Sequence, residues 1–228
     1  GEMDLKNALT YSCNPYFIEL SCNVGAENLL ETASDLGFNN YIDFGNGYMT
    51  DKGNLPDIEE LNSDASIGNL GFGQGSLLAT PLQIANCYAT VANGGIYTEP
   101  SLIKGFVDEN ENFTQINKKT SERVLKTETC DILKEYLLNV VTAGTGKPAF
   151  TSLFQSCGKT ATAESGQYDK NGIEISHSWY VGFFPYENPQ YVICVMKENG
   201  ISGSSDCAPV FKEVAEEIYI LNKLKVES

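Results

Sequence analysis

Between Phe154 and Glu198 the sequence sets three strand-like runs end to end with only tight turns between them, and this narrows the fold more than any other feature. Phe154 to Ser165, Ser176 to Phe184 and Tyr191 to Glu198 are the runs, with β-branched and aromatic residues frequent in the second and third. Asp169-Lys170-Asn171-Gly172 and Pro185-Tyr186-Glu187-Asn188-Pro189 supply the turns. Runs joined so closely predict an antiparallel meander. On both sides the apolar spacing becomes helical. A closing helix is predicted from about Pro209 to Leu224, with Val210, Phe211, Val214, Ile218 and Leu221 along its packed stripe. Helices, then a sheet, then a closing helix predict an α+β fold: an antiparallel sheet with helices packed on its faces.

The helix signals before the sheet are local and specific. Leu5, Ala8 and Leu9 follow a three-four spacing, and Asn14-Pro15 offers an N-cap with proline at the first helical position of a helix running to about Val24-Gly25. A third helix is predicted from Glu27 to Leu36, with Leu29, Leu30, Ala33 and Leu36 on one face and Gly37 as a left-handed stop. Thr80-Pro81-Leu82-Gln83 combines a capping threonine, a first-turn proline and a capping-box glutamine, and Asn93-Gly94-Gly95 ends that helix. Apolar residues at 133, 136, 137, 140 and 141 make 130–141 helical. A hairpin is predicted from Leu102 to Val107 and Phe113 to Ile116, around residues 108–112. By contrast, 39–75 is rich in Gly, Asn and Asp and predicts an irregular excursion with little regular structure.

Without a Pro/Ser-rich linker or an internal repeat, residues 1–228 read as one domain. The formal net charge is −15, so a phosphate backbone would be repelled and nucleic acid is not an expected partner. Seven cysteines, at 13, 22, 87, 130, 157, 194 and 207, leave at least one thiol without an intrachain partner, and none is spaced C-x-x-C. With His177 as the single histidine, neither a metal nor a cofactor site is expected. Gly158-Lys159-Thr160 invites a phosphate-loop reading, which fails because position 153 is Leu rather than Gly. No apolar run reaches the roughly 18 residues that span a bilayer. The N-terminal residues carry no signal-peptide pattern.

What remains is Lys159-Thr160-Ala161-Thr162-Ala163 on a strand and Ser12-Cys13-Asn14 at a helix start. A strand lysine beside an open edge attracts a carboxylate, and flanking hydroxyls hydrogen-bond it, which is a device for recognising a peptide end. These residues sit in an order that resembles the C-terminal part of the transpeptidase domain of penicillin-binding proteins. Ser12-Cys13-Asn14 looks like the family's second motif, and Cys157-Gly158-Lys159-Thr160-Ala161-Thr162-Ala163-Glu164 its third. Gly71-Phe72-Gly73-Gln74-Gly75, with Ala79 to Ala85 and Ala92 to Gly95, is similar to its central signature, and His177 to Phe183 to the strand after the third motif.

The resemblance implies a fold like that of β-lactamases and D,D-peptidases, here N-terminally incomplete. It implies an acyl transferase that binds penicillins and cross-links peptidoglycan stem peptides through an acyl-enzyme. It gives Ser12 a proton relay toward the leaving nitrogen, Asn14 the substrate amide, and Lys159 electrostatic support of Ser12. Thr160 and Thr162 would bind the terminal carboxylate, and the Thr162 N–H would supply half of an oxyanion hole. Ala161 departs from the family's glycine. The serine-x-x-lysine motif has no helix-borne counterpart: Ser101 to Lys104 lies in a predicted strand, and Ser156 to Lys159 shares its lysine with the third motif. The nucleophile is therefore expected in a missing N-terminal segment, and the chain alone is expected to be inactive. A groove left by that segment would be filled by the segment itself, a swapped element or self-association. A non-catalytic penicillin sensor stays open as an alternative, as does a β-lactamase-related hydrolase, although Ile58 stands where the latter's deacylating glutamate is needed. The family implies the outer face of the bacterial cell membrane, with an anchor outside this chain.

Overall fold

The computed structural model describes residues 2–45, 48–115 and 121–227. Helix α1 (Leu5–Tyr11) opens on Asp4, whose carboxylate accepts from the Asn7 N–H at 2.7 Å, and closes on Ser12 in the left-handed region at φ 57°. Helix α2 (Asn14–Val24) starts one residue earlier than the sequence suggests. Cys13 is its N-cap, so Asn14 is the first helical residue and makes no cap hydrogen bond. Proline fits the first turn at either of its first positions, so the Asn-Pro pair does not fix the cap. Helix α3 (Ala26–Asp35) ends before Gly37 at φ 86°, as expected, yet no residue in it is buried; Leu29, Leu30 and Ala33 are half-exposed.

The 39–75 excursion is more regular than its composition suggests. Strands β1 (Asp43–Gly45) and β2 (Tyr48–Met49) pair, and helix α4 (Asp64–Gly71) is two turns long. Ser63 and Ser66 form a reciprocal capping box, with N–H to Oγ distances of 3.3 and 3.2 Å. Helical glycine costs about 1 kcal/mol against alanine, which hides α4 from a propensity reading. The glycines serve its contact with α2: a Cβ on Gly68 would lie 2.8 Å from Ile18 Cγ2, and one on Gly71 would collide with Ser21 Oγ. Gln83, 1% exposed, staples the excursion down. Its Oε1 accepts from the Thr80 N–H at 2.8 Å as the capping box requires, while Nε2 donates to the carbonyls of Gly37, Asn40 and Lys52 at 3.3, 3.3 and 2.9 Å.

Helix α5 (Pro81–Ala92) follows its predicted limits. Strand β3 (Ile96–Thr98) pairs with β6 (Ser121–Arg123), and β4 (Gly105–Val107) with β5 (Phe113–Gln115), the predicted hairpin; Ile116, its expected last residue, lies outside the described residues. Helix α6 (Thr127–Thr142) extends the expected 130–141 segment. The meander is β7 (Cys157–Tyr168), β8 (Glu174–Phe184) and β9 (Tyr191–Lys197), antiparallel in the order β7-β8-β9. Phe154 precedes the first strand and stacks on Phe184 at 4.9 Å between ring centroids.

Helix α7 (Ala208–Glu227) closes the fold on a face rotated from the expected one. Phe211 and Ala215 are fully buried and Ile218 packs beside them, whereas Val210, Val214 and Leu221 are exposed. The aromatic contacts of Phe211 with Tyr180 (4.8 Å) and Phe184 (6.1 Å) set that rotation. Successive strand residues point to opposite faces. Phe184 therefore joins Tyr180, Phe211 and Ala215 in one core under α7, while Phe183 joins Val91, Cys130, Leu137 and Cys157 in another, between the sheet and helices α5 and α6. Helices cover both faces of the sheet, and the expected α+β class is the one observed. All seven cysteines are free thiols; burial pushes Cys157 and Cys194 up to about 12, so both stay protonated, and the Cys157 thiol donates to the Lys134 carbonyl at 3.2 Å.

Candidate active site

The free edge of β7 faces a cleft of about 910 Å³. Its other wall comes from the end of α1, the start of α2 and residues 69–75 at and beyond the end of α4. Ser12, Asn14, Lys159, Thr160, Ala161 and Thr162, the residues singled out from sequence, all line it. The segments meet although they lie almost 150 residues apart in the chain: Lys159 Nζ donates to Ser12 Oγ at 3.0 Å and to the Thr160 carbonyl at 2.8 Å.

Local backbone geometry explains how Ser12 reaches the cleft. It terminates α1 in a left-handed conformation unusual for a residue with a side chain, with its N–H bonded to the Leu9 carbonyl at 3.3 Å. Two residues on, Asn14 sits exposed at the first helical position of α2, its side chain unspent on capping. Lys159 follows Gly158, which packs against the Tyr180 ring where a Cβ would collide with its hydroxyl. Burial lowers the Lys159 pKa from 10.5 to about 8, so the lysine that stands against the serine hydroxyl gives up its proton far more readily than a solvated one.

Along β7 the flanking hydroxyls differ. Thr160 is 8% exposed, and its hydroxyl shares a 2.8 Å hydrogen bond with that of Thr145; Ala161 and Thr162 are exposed at the edge. Gln74 Nε2 reaches the Thr162 carbonyl from the opposite wall at 3.5 Å. Sequence reasoning gave no role to Gln74 or to Thr145. Gln74 stands in a glycine-rich block and Thr145 between two glycines, and neither carries a local signal for a contact so far along the chain. Glu164, Glu174 and Ser176 extend the cleft beyond Thr162. Among the described residues no group of three or more His, Cys, Asp or Glu side chains is placed to hold a metal ion. The arrangement supplies a serine hydroxyl bonded to a lysine whose pKa burial lowers, and a strand edge with exposed hydrogen-bonding groups.

A family model described as the penicillin binding protein transpeptidase domain matches residues 1–216. The chain is 29% identical over 249 residues to the peptidoglycan D,D-transpeptidase MrdA of Haemophilus influenzae, covering 98% of this chain and 37% of that protein. It is 31% identical over 245 residues to the penicillin-binding protein PbpB of Mycolicibacterium smegmatis, with 94% of this chain and 37% of that protein covered. Among solved structures, the apo form of penicillin binding protein 3 from Mycobacterium tuberculosis matches with a TM-score of 0.84 at 27% identity, over 96% of this chain and 52% of that one. The same protein complexed with ampicillin matches with a TM-score of 0.84 at 26% identity, over 96% and 51%. The chain thus spans little more than a third of the length of these two curated relatives.

Proposed function

This chain belongs to the penicillin-binding protein transpeptidase domain family, and from that premise we propose that it forms one wall of a peptidoglycan D,D-transpeptidase site whose nucleophilic serine is carried by an upstream segment. The contact that carries this reading is Lys159 Nζ to Ser12 Oγ at 3.0 Å on the edge of β7. In the proposed reaction the upstream serine oxygen bonds to the carbonyl carbon of the penultimate D-alanine of a stem peptide, and the C–N bond to the terminal D-alanine breaks. Ser12 takes up the proton released by the attacking serine hydroxyl as it passes its own to the leaving nitrogen, with Lys159 supporting it, and Asn14 holds the substrate amide. The carboxylate end lies against Thr160 and Thr162, and the Thr162 N–H faces the developing oxyanion. An amine of a neighbouring strand then takes the acyl group and frees the serine. A β-lactam enters the first step and stops there.

The half-exposed apolar face of α3 supports the same reading as a surface on which the upstream segment packs. We place the parent protein at the outer face of the bacterial cell membrane, held by an anchor outside this chain. No helix among the described residues is long and apolar enough to cross a membrane.

Mass spectrometry of the protein after exposure to a fluorescent penicillin tests the proposal. The chain by itself is expected to gain no stoichiometric adduct, and the chain joined to its upstream segment to gain one per molecule, on a serine outside residues 1–228. An adduct on Ser12, Ser101 or Ser156 of the chain alone would overturn it.

A further inference from the structure

We infer that Thr145 is a positioning residue: it clamps the substrate edge of β7 to the helix end that carries Ser12, and so sets the Lys159 to Ser12 contact. The inference rests on the acyl-transfer reading for its importance and on hydrogen bonds for its geometry. All three polar groups of Thr145 are used in bridging. Its N–H donates to the Thr10 carbonyl at 3.2 Å, its hydroxyl pairs with that of Thr160 at 2.8 Å, and its carbonyl accepts from Ser204 Oγ at 2.9 Å.

Each partner leads to a different element. Thr10 is fully buried two residues before Ser12, and its hydroxyl accepts from Asn139 Nδ2 of α6 at 2.8 Å while donating to the Lys6 carbonyl at 2.7 Å. Thr160 is the residue after Lys159. Ser204 belongs to the turn that precedes α7. Gly144 permits the bridge, because a Cβ there would collide with the Thr10 carbonyl. Thr145 therefore ties α1, β7 and the pre-α7 turn together at one point behind the cleft. A contact made by side chains nearly 150 residues apart holds its geometry only if its supporting elements are locked, and misplacement of about 1 Å costs on the order of 100-fold in rate.

The test compares Thr145→Val, Thr145→Ala and Thr145→Ser with the wild type. Valine keeps the shape and the N–H bond to Thr10 but removes the hydroxyl; alanine removes it without substituting a methyl, should valine fail to fold. Two quantities are read in the chain joined to its upstream segment: the titration midpoint of Lys159, by NMR of carbon-labelled lysine, and the β-lactam acylation rate at saturation. Lys159 Nζ faces the Ser12 hydroxyl from α1 and the Thr160 carbonyl of its own strand, and burial is what lowers its pKa. Loosening the edge admits water, so valine and alanine should raise the midpoint from about 8 toward 10.5 and slow acylation about 10- to 100-fold. Serine should restore both to within about threefold of wild type or its equivalent in pH. A midpoint unchanged in all the variants, or a serine variant that behaves like valine, would overturn the inference. Absence of acylation in the wild type would instead count against the transpeptidase reading, and the titration with its serine rescue would still report on Thr145.

Discussion

Replacing Lys159 with methionine in the protein joined to its upstream segment is expected to slow acylation by a β-lactam about 10²- to 10⁴-fold while leaving the fold intact. Methionine fills the space of the lysine stem but removes the cation bonded to Ser12 Oγ at 3.0 Å. The pH dependence has a definite sign. Burial lowers the Lys159 pKa to about 8, so the charge beside Ser12 Oγ is present below that pH and is lost as pH rises through it. Wild-type acylation should fall on the alkaline side near pH 8, and the residual rate of the variant should lack that limb.

Stability moves the other way. Between about pH 8 and 10.5 the folded state binds fewer protons at this site than the unfolded chain, so the Lys159 contribution to stability rises with pH through that window. Below it, the buried charge costs up to about 3 kcal/mol, an upper bound because the hydrogen bonds to Ser12 and Thr160 offset part of it. Lys159→Met should therefore be at least as stable as wild type at pH 7, and the difference should shrink toward pH 10. Denaturant titrations of both proteins across this range check it. A variant that is less stable at pH 7, or a rate within threefold of wild type, would contradict the role given to Lys159.

The second large effect is expected from Gly203→Val, which acts from behind the site. Gly203 opens the turn Gly203–Cys207 and is buried against the sheet. A Cβ there would collide with the Trp179 carbonyl and lie 2.7 Å from the carbonyl and 3.0 Å from the N of Ala161, the residue between Thr160 and Thr162. The turn has no room to retreat, because Asp206 anchors it. Its carboxylate accepts from the Ile201 N–H at 2.6 Å, Lys197 Nζ at 3.1 Å, Ser178 Oγ at 2.9 Å and the Ser202 N–H at 3.1 Å, and these donors hold its pKa well below the usual carboxylate range. A side chain at 203 must displace β7 or the turn, at about 2–4 kcal/mol. Thermal unfolding should show a Tm lower by about 5–15 °C, with acylation slowed even at temperatures where the variant is folded. A Tm within 2 °C of wild type would mean that the turn moves more freely than its hydrogen bonds indicate.

What the sequence made legible was what neighbouring residues decide among themselves. The Thr80 capping box, the Gly37 stop and the meander rest on interactions a few residues long, and they stand where expected. Other features depended on partners far along the chain. Helix α4 was hidden by glycines whose purpose is contact with Ile18 and Ser21, and the packed stripe of α7 is chosen by the rings of Tyr180 and Phe184. The candidate site divides in the same way. Ser12, Asn14 and the Lys159 to Thr162 strand were legible because their order resembles a known family, whereas Thr145, which bridges two of those segments, shows its role only once the chain is folded.

The proposed reaction requires the edge of β7 and the Ser12 turn to form a single acyl-transfer cleft. A crystal structure of the protein joined to its upstream segment and acylated by a β-lactam tests this most directly. The acyl carbonyl oxygen is expected about 3 Å from the Thr162 N–H, with the drug's carboxylate against Thr160 and Thr162 and Lys159 still bonded to Ser12. A covalently bound drug lying away from β7, or Lys159 and Ser12 separated in the acylated protein, would contradict it.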